Sequence, residues 1–169
     1  MNGERIIPNI PGLRRYARLL TRDSHRADDL VQDTLLRACA KWTLWRPDSD
    51  LRAWLFTIMH NLFINQVRAA PPESVQLDSI VDAGHTEDAA VGIDLERALA
   101  RLPDEQREVL LMVTVEDFSY AEVARVIGVP VGTVMSRLSR GRRRLREAME
   151  GTRETAEPAE PRSHLKVMK

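Results

Sequence analysis

Residues 119–146 constrain this chain more than any other stretch. They run Ser-Tyr-Ala-Glu-Val-Ala-Arg-Val-Ile-Gly, then Val-Pro, then Val-Gly-Thr-Val-Met-Ser-Arg-Leu-Ser-Arg-Gly-Arg-Arg-Arg-Leu-Arg. Ser119, with Glu122 three residues later, is a capping-box signature that opens a helix. Gly128 ends that helix, because glycine takes the left-handed conformation of a helix terminus without steric cost. Pro130 suits the opening of a second helix. There Val134, Leu138, Gly141 and Leu145 fall at i, i+4, i+7 and i+11, so they face a core. Six arginines lie between Val131 and Arg146 with no acidic residue among them. A solvated basic helix would also fit, but the cap, the turn and the apolar spacing agree on a helix-turn-helix. Thr133, Ser136, Arg137, Arg140 and Arg144 then point outward. Short polar groups near the helix start suit base edges, and arginines behind them suit phosphates.

The whole-chain charge conceals this pattern. Twenty-five basic and 25 acidic residues cancel over 169 positions. Locally, residues 1–68 carry net +4, residues 69–92 carry net −5, and residues 93–149 carry net +1. The acidic stretch 69–92 also holds two prolines and two glycines and has no sustained period, which reads as a flexible linker. The expected architecture is therefore all-α: two small helical domains, 1–68 and 93–149, joined by the acidic linker 69–92. The tail 150–169, with its Glu-Pro-Ala-Glu-Pro-Arg run, reads as disordered.

In the first domain the pattern predicts helices over about 8–20, 24–42 and 51–68. Ser24 is the expected cap of the second and Asp50 precedes the third. Residues 43–50 form a loop. In the second domain helices are expected over about 94–101, 103–115, 119–128 and 130–149, with Pro103 at a first helical position.

Two helices of the first domain offer surfaces. Along 24–42, Ala27, Val31, Thr34, Leu35 and Ala38 make an inner face. Asp29, Gln32, Asp33, Leu36 and Ala40 share another, and a leucine among carboxylates suits a basic protein partner. A solvated acidic face with one stray leucine fits the spacing equally. Along 51–68, Leu51, Trp54, Leu55, Ile58 and Leu62 make an apolar stripe, with Phe56, Met59 and Phe63 filling much of the remaining perimeter. Thr57, His60, Asn61, Asn65 and Arg68 make a polar, mostly uncharged face. Asparagines can read base edges and nearby aromatics can stack on unpaired bases. Periodicity leaves open a buried helix with a satisfied polar edge.

Nothing in the sequence points to catalysis, a cofactor or a metal. There is no nucleophile motif and no phosphate-cradling glycine loop. The four histidines are scattered, and Cys39, the single cysteine, reads as a small packed residue. No apolar run approaches a membrane span and the N-terminus is not a signal peptide, so a cytoplasmic protein without membrane insertion is expected.

Four stretches together resemble the extracytoplasmic-function (group 4) sigma factors of bacterial RNA polymerase. They are Asp28-Asp-Leu-Val-Gln-Asp-Thr-Leu-Leu-Arg-Ala, Leu51-Arg-Ala-Trp-Leu-Phe-Thr-Ile-x-x-Asn61, Leu102-Pro-x-x-Gln106-Arg-Glu-Val-Leu110, and Gly132-Thr-Val-x-Ser136-Arg137. They span roughly 8–149 in the family's order. The Ile-Pro-x-Leu-Arg start and the Asp-Leu-Val-Gln-Asp-Thr run further resemble the general stress-response subgroup. The resemblance implies that the first domain is region 2 and the second region 4. Asp29, Gln32, Asp33 and Leu36 would hold the clamp coiled coil of the largest polymerase subunit. Thr57, His60, Asn61, Asn65 and Arg68 would read the −10 element, Asn61 foremost, with loop 43–50 helping to capture an unstacked base. Thr133, Ser136, Arg137, Arg140 and Arg144 would read and grip the −35 element. The implied partners are core polymerase, its clamp and flap, promoter DNA and an anti-sigma factor. The family often has a basic residue where His60 and Met135 stand. A stand-alone helix-turn-helix regulator, or a sigma mimic that sequesters an anti-sigma factor, are the alternatives. The linker's 24 residues reach roughly 80 Å extended but only about 25–30 Å relaxed. Free in solution, the two domains can thus fold against each other or around an inhibitor.

Overall fold

A computed structural model describes residues 2–71 and 87–155, with side chains at 3–71 and 91–151. The described residues form helices only. The N-terminus begins with α1 (Asn2–Ile6), a 3-10 turn (Ile7–Asn9) and α2 (Ile10–Thr21), with Pro8 and Pro11 at opening positions that need no backbone donor. The break at residues 7–9 differs from the single helix the periodicity suggests. Arg22 ends α2 in the left-handed region, with φ 59°. Asp23 is then extended, and its carboxylate accepts the Arg26 amide at 3.0 Å to cap α3 (Ser24–Ala40). Asp23, not Ser24, is therefore the cap: only the extended residue can turn its side chain onto the free amides. After α3 a 3-10 turn (Trp42–Leu44) leads into the loop.

Asp50 caps α4 (Leu51–Ala69) through the amides of Arg52 and Ala53, at 2.9 and 3.2 Å. The helix stops where Ala70 turns extended ahead of Pro71, as a residue preceding proline prefers. Residues 72–86 lie outside the described residues, and so does most of the expected linker. Its last part does not: α5 (Glu87–Ala100) begins well before residue 94. Good helix formers at 89 and 90 carry the helix upstream, and Gly92 alone does not stop it.

Helices α6 (Asp104–Thr114), α7 (Tyr120–Ile127) and α8 (Val131–Thr155) complete the second domain. Ser119 and Glu122 make the full capping box of α7, and Gly128 ends it at φ 71°. Helix α8 continues to Thr155, into what composition assigns to a disordered tail; residues 156–169 lie outside the described residues. Gly141 brings α8 against α6. A Cβ there would sit 3.3 Å from the Gln106 carbonyl oxygen, so the helices touch backbone to backbone.

The two domains share one continuous core. Leu13, Tyr16 and Leu20 of α2, Leu30 and Val31 of α3, and Leu55, Phe56 and Met59 of α4 are buried. So are Val109 and Met112 of α6, Val123 and Val126 of α7, and Val134 and Leu138 of α8. Helix α2 packs on α6, and α4 on α7. The rings of Tyr16, Phe56 and Phe118 run across the junction with neighbouring centroids 5.1 and 5.0 Å apart.

Candidate nucleic-acid and partner-binding faces

Helix α8 presents its basic side to solvent. Val134, Leu138 and Gly141 turn inward as the spacing predicts, and Leu145 is half-buried. Ser136, Ser139, Arg140, Arg143 and Arg144 are exposed. Thr133 and Arg137 sit on the flank instead, both half-buried. The Arg137 guanidinium pairs with Glu105 of α6 at 2.9 Å, so it is not a free outward group as the sequence suggests. The Ser136 hydroxyl donates to the Thr133 carbonyl at 3.0 Å and keeps lone pairs free to accept.

Helix α4 is arranged differently from its expected stripe. Its buried residues are Leu55, Phe56, Met59, Leu62 and Phe63, while Leu51, Trp54 and Ile58 are only partly buried. A helix apolar nearly all round is covered on more than one side, and here the second domain supplies the extra cover. Asn61, Asn65 and Arg68 remain exposed on the far side. Thr57 is half-buried and donates its hydroxyl to the Ala53 carbonyl at 2.9 Å. His60 leaves this set. Its Nδ1 lies 2.5 Å from Glu108 of α6, facing the second domain rather than open solvent. Beside the helix, Trp42 lies between Trp45 and Trp54, with centroids 5.0 and 6.3 Å away. The Arg5 guanidinium stacks over Trp45 at 4.5 Å, and Leu44 stands exposed at the loop.

On α3, Asp29, Gln32, Asp33 and Leu36 are all exposed, and Leu36 is 68% accessible. Buried Leu30 belongs to the inner face, and Leu35 is only half-buried. Cys39 is exposed, contrary to its expected packed role, because it follows buried Ala38 by one residue and so turns about 100° off the inward stripe.

Between the domains lies a seam of buried charge. Glu116, on the turn after α6, accepts from Arg15 Nε at 3.0 Å and from Arg52 at 2.9 Å. Arg52 also donates to the Glu116 backbone carbonyl and lies over the Phe118 ring at 4.3 Å. Arg107 of α6 is buried. It donates to the Leu20 carbonyl of α2 at 3.1 Å and the Leu102 carbonyl at 3.0 Å, and pairs with Asp104. Burial pulls its pKa down, and the Asp104 carboxylate opposes that. The Tyr16 phenol is pushed well up, first by burial and then by the charge of Glu108.

The comparisons agree with this geometry. Residues 6–60 match the family described as "Sigma2 domain of PhyR", and residues 93–145 match "Sigma-70, region 4". The ECF RNA polymerase sigma factor EcfG of Rhodopseudomonas palustris is 40% identical over 145 residues, covering 83% of this chain and 80% of EcfG. This chain belongs to the ECF RNA polymerase sigma factors. The sigma factor SigM of Mycobacterium tuberculosis is 38% identical over 79% of this chain and 69% of SigM. Among solved structures, the sigma factor RpoE in complex with the anti-sigma factor NepR from Bartonella quintana superposes with TM-score 0.71 at 34% identity. It covers 88% of this chain and 96% of that one. CnrH in complex with the cytosolic domain of CnrY gives TM-score 0.69 at 25% identity, over 89% of this chain and 88% of that one.

In this sigma factor the residues that sequence reasoning missed are those of the seam: Arg15, Arg52, Arg107, Glu108 and Glu116. Local sequence carries no signal for them: Arg107 and Glu108 continue the polar stretch that opens α6 at Asp104. Yet every residue from Gln106 to Met112 is buried, and buried charges of this kind require a polar partner surface. Which surface they meet is not written in local periodicity.

Proposed function

We propose that this chain directs core RNA polymerase to bipartite promoters, with α4 and the loop before it reading the −10 element and α8 the −35 element. One observation carries the reading. A single chain exposes both an acidic-leucine face on α3 and an arginine face on α8 with no acid among its first sixteen residues. The first suits a basic protein partner and the second a phosphate backbone. Asp29, Gln32, Asp33 and Leu36 dock the polymerase clamp. Asn61, Asn65 and Arg68 meet the −10 strand, with Thr57 and His60 joining once the domains part. Ser136 and Arg140 meet the −35 groove, Thr133 and Arg137 flank it, and Arg144 holds phosphate. The sigma factor itself performs no bond chemistry; polymerase does. Two solved relatives, RpoE and CnrH, are bound to NepR and CnrY, and an anti-sigma factor of that kind holds this chain in check.

Run-off transcription with core polymerase on a genomic promoter library tests this. Wild type should initiate at defined start sites. Asn61→Ala should lower initiation by about tenfold or more, since a good base contact is worth roughly 1–3 kcal/mol. Absence of promoter-specific initiation across the library would sink the reading.

A second reading has one observation in its favour: the match of residues 6–60 is to the sigma-like domain of PhyR, and a solved PhyR is named an anti-anti-sigma factor. A mimic needs no DNA-reading helix. Replacing Arg140 and Arg144 with alanine leaves a mimic's anti-sigma binding intact and has no transcription to abolish. In a promoter-directing subunit the same pair should abolish transcription.

A further inference from the structure

We infer that Val131 and Met135 form a methyl-reading corner at the start of α8, which selects thymine at one fixed position of the upstream promoter element. The inference rests on the assignment of α8 to that element. Val131 is 42% and Met135 52% accessible, and they stand at i and i+4, side by side on one flank of the helix. They are the only large apolar side chains left exposed on α8 among the described residues.

Their surroundings fix what they can recognise. Residues entering a major groove at the start of a helix meet base edges. Over residues 131–139 the exposed positions are Val131, Gly132, Met135, Ser136 and Ser139, and no exposed side chain there is charged. Arg137, the one cation in that stretch, is half-buried and tied to Glu105. Exposed arginines begin at Arg140. The base-facing end of this helix therefore offers two hydroxyls on its crest and a hydrocarbon-thioether surface on one flank. Neither valine nor methionine has a strong donor or acceptor to spend on a base edge. The only apolar group a base presents in the major groove is the thymine 5-methyl. Methionine has an unbranched, polarizable side chain that conforms to such a contact. A helix carrying lysine or arginine at position 135 would reach for guanine or phosphate instead.

The test uses the full chain with core polymerase. Promoters are first selected by transcription from a randomised upstream element. The selected element should contain a thymine, on either strand, at one invariant position. Each thymine is then replaced singly by deoxyuridine, which removes only the methyl. At that one position deoxyuridine should lower initiation by the wild-type holoenzyme about fourfold, the value of one buried methyl group. The same replacement should have no effect on Met135→Ala, whose exposed site leaves the fold intact by circular dichroism. Met135→Lys should shift the selected base away from thymine. The inference is overturned if no invariant thymine emerges, or if the deoxyuridine effect is absent in wild type or persists in Met135→Ala while initiation stays promoter-specific. If no library member supports specific initiation, the promoter-directing assignment itself falls, and this inference with it.

Discussion

Helices α4 and α8 both carry groups suited to bases, yet the fold treats them in opposite ways. Helix α8 buries one narrow stripe and leaves its arginine side open. Helix α4 is covered on two sides. Part of its polar equipment, His60 and Arg52, is engaged by Glu108 and Glu116 of the second domain. The difference lies in composition. An amphipathic helix needs one neighbour, whereas a helix with Phe56, Met59 and Phe63 added to its apolar stripe needs two. In the conformation described, α8, the upstream reader proposed above, is open and α4, the proposed downstream reader, is partly occluded. On the proposed assignment, engaging the −10 element with all of α4 requires the seam to part.

The largest effect should come from the residue that pins the seam from inside. Replacing buried Arg107 with Met leaves the Leu20 and Leu102 carbonyls without their donor. It should cost about 3–5 kcal/mol, the usual result of breaking a buried charged network. Urea unfolding of the full chain measures it, and a loss below about 1 kcal/mol would mean that Arg107 does not join the domains.

Glu116→Ala should cost less, about 1–3 kcal/mol, because Arg15 and Arg52 can turn to water once their acceptor is gone. Its effect on geometry should exceed its effect on stability. With one dye on Cys39, the only native cysteine and an exposed one, and another on Ser139→Cys in α8, the variant should show lower energy transfer than its parent. Unchanged transfer would break the contrast between an occluded and an open reader.

Ser119→Ala acts on α7, which packs on both α4 and α8. It removes the cap of α7, the helix that sets the entry of α8, and should cost about 1 kcal/mol. Hydrogen bonds from Ser119 hold the Glu122 carboxyl below its ordinary value. The carboxylate half of the box is thus full above the ordinary carboxylate range and fades as pH falls below it. Thermal melts at descending pH should therefore converge for wild type and Glu122→Gln, whereas Ser119→Ala, which keeps the Ser119 amide and loses only the bond from the Glu122 amide, should stay below wild type throughout.

The smallest effect at neutral pH belongs to Tyr16. Its phenol stays protonated in the fold well past the point, about pH 10, where an unfolded tyrosine ionises. Stability should be full below that pH and decline above it, because the unfolded chain alone sheds the proton. Tyr16→Phe should change little at pH 7 and flatten the alkaline decline; an unaltered decline would place its cause elsewhere.

How far each reader was legible from sequence follows the same contrast. The inward positions of α8 from Val134 to Leu145 could be named beforehand, because a capping box, a glycine turn and an apolar spacing of three and four residues all agree; buried Ala148 beyond them was not. The division into two helical domains was legible from the acidic segment, and the exposed set on α3 from its spacing. The inward side of α4 was not. With apolar residues almost all round, periodicity cannot choose a face, and the choice is made by a domain some fifty residues downstream. His60 was misplaced for that reason, and Arg137 because its partner Glu105 belongs to another helix. The early start of α5 escaped notice because the acidic composition around it resembles a linker.

Glu116 and Glu108 have one more consequence. An aliphatic junction, once opened, offers greasy surface to every other chain in its surroundings. This junction opens onto two carboxylates, three guanidiniums and an imidazole, all groups that water receives well. Parting therefore hydrates the charged groups and, in the same movement, bares the rings of Tyr16, Phe56 and Phe118 that they surround. Such a clasp opens at least cost when a partner takes up the apolar part as water takes up the charged part, which suits a subunit that must join polymerase and leave it.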